Sequence, residues 1–299
     1  MLFQLARCLL PATLLVACAV DPADESSDTQ ASSGENGLHG APEPHLQADR
    51  ASHHGGGGSS LLAYGGGSIL ATNTTQAIFW GSEWTSASFA GDKIAGLDTF
   101  FGGFGNSGLA GLSTEYYGPV NTYVTKQSTY LGHVIDTTAA PSKAITVNQA
   151  VAEACKITGQ APDPNGVYFL YTSTGAGHVS YCAWHSWGNC SNGAPIQVAY
   201  MPNIDGLAGC NPSDTYGTGH TEGLAALANV TSHELSEAIT DPRGAGWTDS
   251  SGAENGDKCA WTFTGPVTLR NGSTWKLQQE WSNNAYNASQ GAPRGCLQQ

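Results

Sequence analysis

The stretch that decides the fold is His233-Glu234-Leu235-Ser236-Glu237-Ala238-Ile239-Thr240-Asp241-Pro242. Its polar residues read H-E-x-x-E. Residues four apart share one face of a helix, so His233 and Glu237 can meet at a common point with Glu234 beside them. Counting about 100° per residue, Leu224, Leu227, Ala228, Leu235, Ala238 and Ile239 form an apolar stripe. His233, Glu237 and Ala226 lie roughly opposite. The reading is a helix that packs with one side and presents the motif with the other. Thr218 or Thr221 can cap its start. Pro242 ends it, because the residue before proline avoids the α region. Asp241 falls at the unfavourable end of the helix dipole, which calls for a partner, either a metal or a backbone donor.

The pattern is one residue away from the H-E-x-x-H of zinc peptidases. That motif needs its spacing because two ligands converge on one ion while a carboxylate reaches the attacking water. Here His233 and Glu237 are the candidate ligands, and Glu234 the candidate base. Downstream, Glu254-x-x-Asp257 offers further carboxylates, and Asp241 is a rival third ligand. One histidine with two carboxylates gives a nearly neutral or negative site, which weakens the pull on bound water. Zn²⁺ is the first expectation, with Ca²⁺ or Mn²⁺ as alternatives. His185, His178 and His220 are candidate donors to an oxyanion, and His185 is the one taken as catalytic.

Outward from the motif, the chain divides in three. Residues 1–17 read as an export signal, with Arg7 ahead of an apolar run too short to span a membrane comfortably. Leu15-Val16-Ala17-Cys18 matches a bacterial lipobox, which makes Cys18 a lipidated residue. Ala17-Cys18-Ala19 is the alternative, an ordinary cleavage site. The expected place is the outer membrane or cell surface, or else the secreted fraction, with membrane contact only through an N-terminal lipid anchor. Residues 18–60 form an acidic tether ending in Gly55 to Gly58, too poor in apolar side chains to offset its ordering entropy. His53-His54 within it is read as solvated linker. Residues 61–299 are the folded part.

The 299 residues carry a net charge of −13, which excludes nucleic acid as a natural partner. Hydrophobic residues at 40% and charged residues at 12% suit a globular extracellular protein, and 39 glycines make it loop-rich. Strands are expected at Gln76–Trp80, Tyr123–Lys126, Tyr130–Ile135, Gly166–Thr172, Val179–Trp184, Ile196–Met201, Val267–Leu269 and Lys276–Gln278. Ala87–Phe101 has helical spacing, and Thr146 caps a helix running to Ile157. Strands and helices without regular alternation argue α+β. Six cysteines lie in the folded part: 155, 182, 190, 210, 259 and 296. In an oxidising compartment they favour disulfides. Cys182–Cys190 is the first expected pair and Cys259–Cys296 the second. Trp184, Trp187, Trp247, Trp261 and Trp281 read as core rather than as a sugar-binding surface.

Taken together, several stretches resemble the EXORDIUM, or phosphate-induced, family. They are Tyr64-Gly65-Gly66-Gly67, Phe79-Trp80-Gly81-Ser82-Glu83-Trp84, Tyr181-Cys182-Ala183-Trp184-His185-Ser186, His233 to Pro242, Glu254 to Cys259 and Glu280-Trp281-Ser282-Asn283. The family usually has His after the first tyrosine, where this chain has Gly65. The resemblance implies an extracellular or cell-wall protein and no settled activity. The motif also looks like that of gluzincin peptidases. Carried over, Glu254 is the third ligand and Asp257 supports the ligand histidine. The expectation is a zincin-like single domain with a mixed sheet, an active-site helix and a loop-rich C-terminal part. It would be a metal-dependent peptidase acting on a peptide or protein substrate. The alternative is a non-catalytic envelope module with a structural calcium, touching cell-wall polymer. A third reading makes Glu237 and Asp257 members of a buried hydrogen-bond network.

Overall fold

A computed structural model describes residues 61–299. The export signal, Cys18, the tether and His53-His54 lie outside the described residues. β1 (Ala63–Tyr64) and β2 (Asn73–Trp80) come first, then α1 (Ala87–Ala90), α2 (Lys93–Phe104) and α3 (Gly108–Gly111). β3 (Ser128–Asp136), α4 (Val147–Ile157), β4 (Gly166–Thr172), β5 (Trp184–Asn189) and β6 (Pro195–Met201) lead to α5 (Glu222–Thr240). β7 (Trp247–Thr248), β8 (Val267–Thr268), β9 (Thr274–Trp275), β10 (Glu280–Trp281), α6 (Asn283–Asn287) and β11 (Cys296–Leu297) complete the chain.

The main sheet has the order β3-β2-β4-β6-β5. β3, β2, β4 and β6 run parallel, and β5 is an antiparallel edge. This is a mixed α+β structure with a mixed sheet. Side chains alternate along each strand, so the sheet has two covered faces. Phe79, Val167, Phe169, Tyr171, Ala199 and Met201 face α2 and α5. Ile78, Tyr168, Leu170, Ile196, Val198 and Tyr200 face α4. Burial on both sides explains why Gly166–Thr172 reads as one apolar run. On β5 the same alternation puts Trp184 on the α4 side. His185, paired with Ala199, therefore points toward α5.

Several local expectations hold. α4 begins at Thr146 with a capping box closed by Gln149. Thr221, not Thr218, caps α5 by accepting from Leu224 N. Thr218 is instead held by Asp214. Trp184, Trp247 and Trp281 are buried, as core residues should be, whereas Trp187 and Trp261 are half-buried.

Other expectations are corrected. Residues 87–101 are not one helix: the chain breaks at Gly91, where φ is 54°, and restarts as α2. Tyr123–Lys126 forms no strand and contributes one bridge, Tyr117 to Tyr123. The strand expected at Val179–Trp184 starts at Trp184, because pairing with β6 begins there while Cys182 is tied sideways to Cys210. Lys276–Gln278 is not a strand. Lys276 leaves the ladder to donate to the carbonyls of Pro212 and Ser213.

Three disulfides join Cys155–Cys190, Cys182–Cys210 and Cys259–Cys296. They mark an exported protein. Cys259–Cys296 is as expected. Cys182–Cys190 is not: β5 lies between the two, and its extended length carries Cys190 to the end of α4. No helix among the described residues is long and apolar enough to cross a membrane.

Candidate metal centre

α5 is not the one-sided amphipathic helix that its stripe suggested. Every residue from Leu224 to Thr240 is buried, because the sheet covers one side and the C-terminal segments wrap the other. Its motif residues therefore project into the interior. Glu234 and Glu237, three apart, point toward β5, and His233 points toward the loop at residues 254–257.

Two groups of side chains converge there. The first is His185, Glu234 and Glu237, and the second is His233, Glu237 and Asp257. In the first, His185 Nδ1 lies 3.3 Å from Glu234 Oε2 and 3.7 Å from Glu237 Oε2. In the second, His233 Nε2 lies 3.1 Å from Glu237 Oε1 and 3.7 Å from Asp257 Oδ1. Glu237 belongs to both, through a different oxygen in each. Glu254 Oε2 stands 3.9 Å from His185 Nε2. Ligands that share an ion at about 2.0–2.2 Å come this close to one another.

The neighbours that fix these side chains come from far along the chain. Asn229 Oδ1 accepts from Gln278 N at 2.8 Å. That contact swings the Gln278 side chain over His233, where its amide nitrogen lies 2.7 Å from Nδ1 and 3.0 Å from Gly256 O. Asp257 N donates to Glu237 Oε1 at 3.0 Å, and Glu254 N to Asp257 Oδ2 at 3.1 Å. The loop turns over the site as a short 3₁₀ segment at Asp257–Cys259, pinned by the Cys259–Cys296 bond. It can do so because residue 256 is glycine: a Cβ there would sit 2.8 Å from His233 Nδ1 and 2.9 Å from Glu237 Oε1.

The electrostatics are those of an acid-rich pocket. Burial pushes the Glu237 carboxyl well above its ordinary range, and the charges of Asp257, Glu254, Glu234 and Glu280 add to that. Glu280, behind the helix, is also raised by burial, although Ser236 Oγ donates to it at 2.7 Å. Glu234 and Glu237 have no exposed side-chain surface, and Asp257, with 24% exposed, is the acid that reaches solvent.

The remaining expected residues lie elsewhere. Asp241 is not drawn into either group. Its Oδ1 accepts from Ala245 N and Gly246 N, both at 2.7 Å, so the partner at the helix end is backbone. Its carbonyl, however, accepts from His185 Nε2 at 3.4 Å. His178 is exposed in a loop. His220 stacks on Trp275 and faces Thr274 O. A cavity of about 270 Å³ opens beside the start of α5, lined by Phe89, Asp92, Lys93 and Glu222 among others, and holds none of the cluster. Gln278 and Gly256 were not read from the sequence as part of the site. A Gln next to an apolar Leu277 carries no spacing signal, and a glycine in a glycine-rich loop does not announce close approach.

No family model, curated protein or solved structure matches the chain. The glycines at 65 and 67 have a structural reason. Gly65 and Gly67 donate to Gly246 O and Ala245 O. A Cβ on Gly65 would lie 2.8 Å from Ala245 O, so a histidine does not fit there.

Proposed function

We propose that this chain is an exported metalloprotein whose α5 holds a divalent cation, and that the centre hydrolyses peptide bonds. The observation that carries the reading is the meeting of two imidazoles and four carboxylates beside an edge strand of the sheet. The donor set fits a cation: the acids crowd one another in a buried place, and burial disfavours the ionised form of Glu237, which a positive ion would restore. Glu237 would hold the ion, with His233 or His185 supplying nitrogen and Asp257 or Glu254 a further oxygen. A ring nitrogen among the donors favours Zn²⁺ or Mn²⁺ over Ca²⁺, which prefers oxygen throughout. Such an ion, when bound, makes water more acidic and polarises a carbonyl.

The chain's own residues would do the rest. An extended peptide can pair with the edge of β5, which would lay its backbone along His185. A carboxylate next to the ion takes the proton from water and returns it to the leaving amine. The motif assigns this to Glu234. A zincin-like identity of the fold belongs to this proposal.

A second reading is a structural cation in a non-catalytic envelope module that touches wall polymer. The absence of exposed surface on Glu234 and Glu237 favours it. One experiment separates the two. Zn²⁺ is removed from purified protein, and both melting temperature and cleavage of a casein-type substrate are followed. Loss of cleavage that Zn²⁺ restores supports hydrolysis. A drop in melting temperature in a protein that never cleaves supports the structural ion. A metal-free protein unaffected by added Zn²⁺ or Mn²⁺ removes both.

A further inference from the structure

Arg243 follows Asp241 and Pro242 at the end of α5 and is half-buried. A guanidinium in such a place normally pairs with a carboxylate or a carbonyl, because its five N–H donors are costly to enclose unmet. Arg243 does neither. Among the described residues it makes no hydrogen bond and no ion pair, and its Nε is enclosed without an acceptor. Burial alone draws its pKa below the ordinary arginine value. What holds the group is the Trp187 ring, whose centre lies 5.5 Å from Cζ. An aromatic face steadies the guanidinium and leaves its N–H fork for another acceptor.

Two paths place this fork beside the candidate centre. Along α5, the Asp241 carbonyl oxygen lies 3.4 Å from His185 Nε2, and Arg243 is two residues further on. Along β5, side chains two apart share a face at a spacing of about 7 Å. Trp187 therefore stands next to His185 on the side toward α5. β5 is the last strand of the sheet. A peptide laid along its edge, with one bond at the centre, brings a nearby residue to the Arg243 fork.

The charge around the fork has the opposite sign. Four carboxylates gather with two imidazoles, in a chain of net charge −13. Such a field repels an anionic peptide. A cation with no internal partner reverses that preference at one point, and its planar fork matches a carboxylate through two parallel hydrogen bonds.

We infer that Arg243 is the recognition residue of this site and binds a carboxylate of the peptide, either the C-terminal group or an acidic side chain. The inference rests on the proposed peptide reading and names its substrate class: peptides with a negative charge close to the bond at the centre.

The test is titration calorimetry of the Zn²⁺-loaded full chain with three N-acetylated alanine hexapeptides. One has a free C-terminus, one is its C-terminal amide, and one is the amide with a central glutamate. One of the charged peptides should bind at least ~10-fold more tightly than the neutral amide, the lower end for hydrogen bonds to charged groups. Preference for the free C-terminus assigns the terminal carboxylate, and preference for glutamate assigns the side chain. Arg243→Gln should erase or reverse the preference. Arg243→Lys should keep part of it, since the charge stays and the fork is lost. The wild-type comparison needs no variant to fold. Equal binding of all three peptides by wild type, or a preference that survives in Arg243→Gln, overturns the inference and leaves the proposed function standing. Binding of none of the three removes the inference together with the peptide reading beneath it.

Discussion

Buried carboxylates gather on both faces of the sheet, and the two faces balance them differently. On the α4 side, Lys156 Nζ lies 2.6 Å from Asp136 Oδ2 and 2.6 Å from Glu153 Oε2. Glu153 bonds to Asp136 and is raised to about 7, chiefly by burial, while Asp136 is held below the usual carboxylate range by its hydrogen bonds. One lysine and one retained proton settle that cluster. On the α5 side two imidazoles stand where Lys156 stands on the other, against four carboxylates. Even with both rings charged, the acids outweigh them. The difference teaches where charge compensation comes from: a lysine supplies it from within the chain on the α4 side, and on the α5 side we propose that an ion does.

Four measurements break or sharpen this contrast. The largest effect is expected from the ion itself. Zn²⁺ at 100 to 1,000 times its dissociation constant should add about 3–4 kcal/mol. For a domain of this size that raises the melting temperature by about 10 °C. Glu237→Gln should abolish the increment, and an equal gain in that variant would detach the ion from α5. Opening Cys155–Cys190, which closes a separation of 35 residues on the α4 side, should cost about 3–4 kcal/mol by chain entropy. Zn²⁺ should bind that reduced form as before; lost binding would show that the two faces are not independent.

Gly256→Ala should cost about 1–3 kcal/mol, because the new methyl meets His233 and Glu237. Its Zn²⁺ increment should fall as well, which urea melts with and without the ion would reveal. The smallest effect is a pH dependence. Glu153 keeps its proton in the fold up to about 7, against 4.5 for the free group. Its contribution is therefore complete below about 4.5 and is lost as pH rises through about 7. Glu153→Gln should flatten the melting profile over that window by about 1–2 kcal/mol. An unchanged slope would show that the α4 cluster does not hold a proton.

The α4 face was the more legible in the sequence. Thr146 announces the start of α4, and Gly166–Thr172 announces β4, because both are local: a capping residue and an unbroken apolar run. The helix of the motif was legible too, with its stop at Pro242. What surrounds it was not. The stripe on α5 gave no sign that the opposite side is also covered, since the covering residues come from 254–281. Thr218 and Thr221 look alike as caps until Asp214 claims the first. The Cys182 and Cys190 pairing failed for a comparable reason: eight residues apart is close along the chain, but an extended strand separates its ends. His185 was visible as a histidine of interest, yet its direction depends on the register of β5 against β6, which no spacing encodes.

The run Gly65 to Gly67 lies directly on the turn that follows α5, and its amides are bonded to Ala245 and Gly246. The carbonyl of Asp241, which accepts from His185 Nε2, stands four residues before Ala245. The start of the described chain therefore braces the turn from which that carbonyl projects.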